Sequence, residues 1–259
     1  MKLDGKIALV TGAGRGIGRE IALACAAEGA DVILAARSVD ALVEVAEEIA
    51  NTGRDAQVIE TDVTDRASVE SMAGQALDRW GRIDLLVNNS GIAGPSSPSW
   101  EVRPDEWDET IAVNLTGVFS CCQVVLPSMI ERRSGAIVNI GSVTGKRPLL
   151  NRSPYAASKA ALIGLTRTMA EEVGPHNVRI NLISPGTVEG DRIDWVFEQQ
   201  AKALGRDADD VRAQFVESTP LRRLVSARDV ANAATFLGSD ESAGITGADL
   251  NVTSGLVMY

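Results

Sequence analysis

Lys6-Ile7-Ala8-Leu9-Val10-Thr11-Gly12-Ala13-Gly14-Arg15-Gly16-Ile17-Gly18 opens the chain's first structural unit, and Ile21, Ala22, Ala24 and Cys25 follow at helical spacing. Residues 6–10 are a short apolar run, as expected of a strand buried on both faces. Strand, glycine loop and helix in succession set backbone amides and a helix N-terminus where they can hold a pyrophosphate. Glycine also lets the backbone approach such a ligand closely. The common G-x-G-x-x-G spacing fails in both registers, because Ile17 or Arg19 stands where the last glycine belongs. A P-loop fails too, since no Gly-Lys-Ser/Thr follows. The pattern present is Thr-Gly-x-x-x-Gly-x-Gly, and its bland alternative is a glycine-rich turn with no ligand.

Working outward, Asp31–Ala36 reads as a second strand, and its end bears on cofactor choice. A carboxylate about 20 residues past the glycine loop binds a ribose 2′-hydroxyl, whereas an arginine there accommodates a 2′-phosphate. The tip reads Ala36-Arg37-Ser38, and Arg37 and Arg15 can converge on one anion, so NADP(H) is favoured over NAD(H). The alternation repeats: helix about 39–52, strand about 56–60, helix about 66–80, strand 83–87, a helical region about 105–132, strand 136–140, a helix from Ser153 to about Val173, strand about 178–183, a polar helical insertion about 188–215, helix about 228–238 and strand 249–252. This order predicts an α/β fold: a Rossmann-type, doubly wound parallel sheet in three α/β/α layers. No linker, repeat or composition break divides residues 1–259, so a single domain is expected.

Composition narrows the function classes. The formal charge is −10 and no long basic stripe exists, which argues against a nucleic-acid partner. The first six residues carry no apolar signal segment, and charges are expected to interrupt every long apolar run; a soluble, cytoplasmic protein without a membrane partner follows. His176 is the only histidine, so multi-histidine metal sites are excluded and no metal is expected. A Ser-His-Asp triad would depend on that one residue in a turn. Cys25, Cys121 and Cys122 lack metal-like spacing and read as reduced packing residues.

Tyr155 and Lys159 stand four apart in Ser153-Pro154-Tyr155-Ala156-Ala157-Ser158-Lys159. On a helix they share one face, a turn apart, with Ser153 read as the cap and Pro154 as the first helical residue. An ammonium beside a phenol favours the phenolate, which suits proton transfer near neutral pH. Alone, the pair is equally a solvated helix face. Polar or glycine-rich clusters at 11–18, 36–38, 61–63, 88–91, 141–142 and 184–187 each follow an expected strand, and in an open parallel sheet ligands bind beyond the strands' carboxyl ends.

Thr11-Gly12-x-x-x-Gly16-x-Gly18, Asp62-Val63, Asn88-Asn89-x-Gly91, Asn114, Ser142, Tyr155-x-x-x-Lys159 and Pro185-Gly186 together resemble the short-chain dehydrogenase/reductase family over nearly the whole chain. Ser90 departs from the alanine usual there. The resemblance implies roles. Tyr155 is the general acid in reduction and the base in oxidation, Lys159 holds the nicotinamide ribose, Ser142 orients the substrate carbonyl and Asn114 supports a proton relay. Gly12, Arg15, Gly16, Ile17 and Gly18 line the pyrophosphate and adenosine path. Asp62 and Val63 flank adenine, Asn88 and Gly91 flank the adjoining ribose, and Pro185, Gly186 and Thr187 sit against the nicotinamide.

The nearest-looking relatives are 3-oxoacyl carrier-protein reductases, with sugar, polyol and hydroxy-acid dehydrogenases close behind. A non-catalytic cofactor-binding regulator is the alternative of another class, against which the intact Ser142, Tyr155 and Lys159 argue. The insertion about 188–215 is expected to cover the substrate as an amphipathic lid carrying Trp195 and Phe197. Lys146, Arg147 and Arg152 fall between Ser142 and Tyr155, which suggests an anionic group on a small carbonyl or alcohol substrate. Relatives are often homotetramers, and the apolar tail Gly255–Tyr259 fits burial against a neighbouring subunit.

Overall fold

The computed structural model describes the backbone of residues 1–259 and all side chains except those of residues 191, 192, 199, 200, 203 and 204. The glycine loop joins β1 (Ile7–Thr11) to α1 (Gly16–Ala27). Then come β2 (Asp31–Ala36), α2 (Val39–Ala50), β3 (Ala56–Glu60), α3 (Arg66–Trp80) and β4 (Leu85–Asn88). The second half runs through α4 (Pro104–Ile111), α5 (Gly117–Arg132), β5 (Gly135–Ile140), α6 (Ser153–Val173) and β6 (Val178–Pro185). It closes with α7 (Asp191–Leu204), α8 (Ala208–Glu217), α9 (Ala227–Gly238) and β7 (Asp249–Val252). The strands form one seven-stranded sheet in the order β3-β2-β1-β4-β5-β6-β7, with every pairing parallel. The winding reverses between β1 and β4, the point at which an open parallel sheet forms its binding crevice.

The uninterrupted apolar runs are explained by two cores. Successive strand residues point to opposite faces. Ala8, Val10, Leu85, Val87, Ala136 and Val138 pack with Ile21, Cys25, Leu42, Ile49, Val230 and Ala234 of α1, α2 and α9. Ile7, Leu9, Leu86 and Ile137 pack with Val69, Met72, Cys121, Val125, Leu162 and Met169 of α3, α5 and α6. Each fully buried leucine contributes roughly 1.5–3 kcal/mol. Truncating Leu9, which is wholly buried, to alanine should cost about 2–5 kcal/mol.

Some expectations need correction. Ser153 is not the cap of α6: the helix begins at Ser153 with Arg152 before it, and no side chain caps that end. Ile111–Ile130 contains no charged residue, so the expectation that charge breaks every long apolar run fails. Residues 104–132 are long and apolar enough to cross a membrane, yet 50% of the apolar window is buried inside the domain. Its apolar face covers the sheet through Cys121, Cys122, Val125 and Met129. Nor is that region one regular helix, because Ala112–Thr116 forms a π-turn between α4 and α5. The α7–α8 pair carries a small core of its own: Phe197, Ala201, Val211 and Leu224 are buried, and the Phe197 and Phe215 rings lie 5.7 Å apart. Trp195 stays 57% exposed.

Candidate active site

The glycine loop is built for close approach. Gly12 and Gly16 take φ of 65° and 54°, conformations that L side chains rarely adopt. Gly18 faces the loop's own backbone: a Cβ there would stand 2.8 Å from the Gly12 carbonyl carbon and overlap its oxygen and the Asn89 amide. Arg15 precedes α1 without a side-chain cap, and the first turn of α1 carries no acidic residue. A helix start left in this state is complementary to an anion. Arg15, at the start of α1, and Arg37, just past β2, are both exposed.

Asn89 is the functional residue that the sequence reading left without a role. Its Nδ2 donates to the carbonyls of Thr11 (3.1 Å) and Gly12 (3.2 Å), while Thr11 Oγ1 accepts from the Asn89 and Ser90 amides at 3.0 and 3.1 Å. The glycine loop is thereby pinned to the end of β4. The only sequence signal was its place in Asn88-Asn89-x-Gly91. The Asn88 side chain turns inward, which leaves only its backbone to face the crevice side. Asn88 Nδ2 donates to Asn139 Oδ1 (2.9 Å), and Asn139 Nδ2 donates to Thr166 Oγ1 (3.0 Å), all buried. Burial without these bonds would be costly, which is why the amide follows its partners into the core.

Asp62 Oδ1 accepts from the Thr64 amide (2.9 Å) and hydroxyl (2.7 Å). The Thr64 hydroxyl, then its amide, and more weakly the charge of Arg37 hold the Asp62 carboxyl below its usual range against some desolvation. Val63 lies against Gly117, where a Cβ would stand 2.9 Å from the valine Cβ.

At the other end of the crevice the π-turn presents Asn114, fully buried. Its Oδ1 accepts from the Ile92 amide (2.8 Å) and its Nδ2 donates to the Ile92 carbonyl (2.9 Å) and to Ser158 Oγ (3.2 Å). Ser158 Oγ in turn donates to the Tyr155 carbonyl (2.8 Å). Lys159, 5% exposed, donates to the Ile140 carbonyl (2.8 Å), with Nζ 5.8 Å from the centre of the Tyr155 ring. A Cβ at Gly91 would stand 3.2 Å from Asn114 Oδ1 and 3.7 Å from Lys159 Nζ, so Gly91, Asn114 and Lys159 meet at one point. Ser142, just past β5, accepts from the Thr144 amide (3.1 Å) and starts a short 3₁₀ turn, Val143–Gly145. At the end of β6, the Gly186 amide donates to the Val252 carbonyl (2.8 Å) and the Thr187 carbonyl accepts from the Val225 amide (3.0 Å).

A family model for short chain dehydrogenase matches residues 6–201. The chain belongs to the short-chain dehydrogenase family. As a short-chain dehydrogenase it is an oxidoreductase. It is 39% identical over 258 residues to the 3-oxoacyl-[acyl-carrier-protein] reductase FabG of Escherichia coli (strain K12), covering 100% of both chains. It is 39% identical over 254 residues to FabG of Staphylococcus epidermidis, covering 98% of this chain and 99% of that one. Among solved structures, NAD+-bound xylitol dehydrogenase superposes with a TM-score of 0.92 at 33% identity, covering 98% of this chain and 100% of that one. A variant of actinorhodin polyketide ketoreductase with NADPH gives 0.92 at 32%, covering 98% of both chains. In this short-chain dehydrogenase, two of the three cations between Ser142 and Tyr155 have partners within the chain. Lys146 is paired with Asp249 at 2.9 Å, and Arg152 Nη1 lies 3.2 Å from the Gly94 carbonyl. Lys146 is thus held by an ion pair and Arg152 by backbone carbonyls, while Arg147 is exposed.

Proposed function

We propose that this enzyme transfers a hydride between NADP(H) and a carbonyl or secondary alcohol, and that its substrate is a 3-oxoacyl thioester. The observation that carries the reading is the convergence of Tyr155, Lys159, Asn114 and Gly91, with Ser142 at the adjoining strand end. The cradle fits a dinucleotide: the Gly18 position admits no side chain, and the start of α1 is uncapped. Gly12, Arg15, Gly16, Ile17 and Gly18 would hold the pyrophosphate and adenosine, Asp62 and Val63 the adenine, and Pro185, Gly186 and Thr187 the nicotinamide side. Arg15 and Arg37 would take a 2′-phosphate. When bound, the nicotinamide supplies or accepts the hydride.

The chain's own residues do the rest. Ser142 Oγ accepts from the Thr144 amide, so its own proton remains to be donated to a carbonyl oxygen. Tyr155 donates to the same oxygen and delivers the proton in reduction, or removes it in oxidation. Two donors aimed at an oxygen gaining charge stabilise it, and losing one typically costs ~2.7–4 kcal/mol. Lys159 is fixed by the Ile140 carbonyl and places its charge beside Tyr155. Asn114 holds the Ile92 backbone at the inner end of the relay.

The α7–α8 pair serves as a lid over this mouth, with exposed Trp195, Leu149 and Leu150 offering apolar surface to an acyl chain. Whole-length identity to 3-oxoacyl carrier-protein reductases supports the acyl reading, and the xylitol dehydrogenase likeness supports a polyol as the second. The working form is a cytoplasmic homotetramer, for which the exposed Leu221, Leu250, Met258 and Tyr259 supply apolar surface at the β7 edge. The test is NADPH and NADH oxidation against acyl thioesters, keto acids and sugars, alongside Tyr155→Phe. That variant should bind NADPH normally and lose more than 99% of turnover; unchanged steady-state rates would refute the assignment.

A further inference from the structure

Lys146 lies four residues beyond Ser142, and its side chain crosses to the far strand of the sheet. Its ammonium is 2.9 Å from Asp249 Oδ2 and 2.5 Å from Asn251 Oδ1, both on β7. The side chains of Lys146 and Asp249 are 9% and 7% exposed. Asp249 Oδ1 accepts from Ser184 Oγ at 2.7 Å, and Ser184 immediately precedes Pro185 and Gly186. The segment from Ser142 to Lys146 is itself tied: the Gly145 amide donates to the Ser142 carbonyl (3.0 Å) and the Lys146 amide to the Val143 carbonyl (2.9 Å). Gly145 is pressed on α6, where a Cβ would stand 2.8 Å from the Lys159 carbonyl carbon. At the far side, a Cβ at Gly186 would stand 3.0 Å from Thr253 Cα. One buried ion pair therefore joins the loop that carries Ser142 to β7 and, through Asp249 and Ser184, to the end of β6 that leads into the Pro185–Thr187 segment.

Such a pair is not needed for stability as such, since apolar replacements of similar volume often serve as well. An ammonium held between a carboxylate and an amide oxygen restrains the stretch of backbone that carries it.

We propose that Lys146, through Asp249, is a positioning residue that sets where Ser142 stands relative to the Pro185–Thr187 segment. The proposal rests on reading Ser142 as the donor to the substrate carbonyl.

The experiment uses Lys146→Met, Asp249→Asn, Ser142→Ala and the double variant Ser142→Ala/Lys146→Met, each checked for folding by circular dichroism. In the enzyme without cofactor, hydrogen exchange over residues 141–147 should quicken at least tenfold in Lys146→Met and Asp249→Asn, and not in Ser142→Ala. With NADPH and the best carbonyl of the panel, kcat should fall 10- to 100-fold in Lys146→Met, with the NADPH dissociation constant within threefold of the parent. The double variant should be no slower than Ser142→Ala, because interactions that act through one group are not additive. Unchanged exchange, or a Lys146→Met loss that multiplies fully onto Ser142→Ala, overturns the proposal. Parent-like turnover in Ser142→Ala overturns instead the role given to Ser142, and the exchange data then judge the positioning of the loop by itself. Should Lys146→Met fail to fold, Asp249→Asn opens the same pair from its other side.

Discussion

Gly18→Ala is the smallest change that should disable the cofactor cradle. The new Cβ would lie 2.8 Å from the Gly12 carbonyl carbon and overlap the attached oxygen and the Asn89 amide. Carbon atoms in favourable contact sit ~3.5–4.0 Å apart, so clearing that carbon alone takes a retreat of about 0.7–1.2 Å, and the nearer oxygen demands at least as much. Overpacking of this kind costs about 1–3 kcal/mol, and the upper end applies because the obstacle is backbone. The same retreat withdraws the Thr11–Gly12 carbonyls from the Asn89 bonds that pin the loop. A misplacement of about 1 Å in a positioning element can lower function ~10²-fold. Two controls separate crowding from conformation. Gly16→Ala meets no atom within 4 Å but keeps φ at 54°, so it should cost about 1–2 kcal/mol from the left-handed backbone alone. Gly74→Ala lies in the exposed middle of α3 with nothing within 4 Å and should gain about 0.5–1 kcal/mol, a rise of a few degrees in midpoint. NADPH fluorescence titration and thermal melts by circular dichroism read both quantities. If Gly18→Ala binds NADPH within threefold of the parent and melts with it, the reasoning about the loop is wrong.

Burial pushes the thiols of Cys25, Cys121 and Cys122 up to about 12, so at pH 8 the folded protein should show no fast reaction with an aromatic disulfide reagent, and three equivalents should react in guanidinium. The Arg223 guanidinium and the Ser226 amide and hydroxyl hold Asp229 down at about 2. A depressed carboxylate contributes stability above its unfolded value of ~3.9 and loses it as pH falls toward the folded one; urea midpoints of the parent should therefore drop more steeply than those of Asp229→Asn between pH ~4 and ~2. Equal slopes would remove that assignment. Asn139→Ala takes the oxygen acceptor from the buried Asn88 amide, leaving it only the weak acceptor Cys122 Sγ at 3.3 Å, and removes the donor to the Thr166 hydroxyl; it should cost about 1–3 kcal/mol, measured by denaturant unfolding.

The fold was legible because a strand covered on both sides leaves an apolar run, as in β1, β2 and β4, and in β5 up to the buried Asn139. The placement of Tyr155 and Lys159 on one face of α6 was legible from their separation alone, since helical geometry is local. What was not legible depended on distant partners. Whether Asn88 turns toward solvent or inward is decided by Asn139, 51 residues away. Lys146 reads as a cation near the substrate carbonyl until β7 brings Asp249 and Asn251 to it, the latter 105 residues on. The uncharged stretch 111–130 is apolar because it packs on the sheet, a demand set by distant strands rather than by its own sequence. The same stretch gave no sign of a π-turn, whose extra residue is stabilised by contacts with Ile92 rather than by local preference.

That turn has a consequence for how the molecule tolerates length changes. Removing one residue from Ala112–Thr116 would restore an ordinary spiral and ease the local geometry, while swinging the Asn114 amide roughly 100° away from Ile92. A shortened protein of this kind should fold well and work badly, since the irregularity is what aims the amide inward.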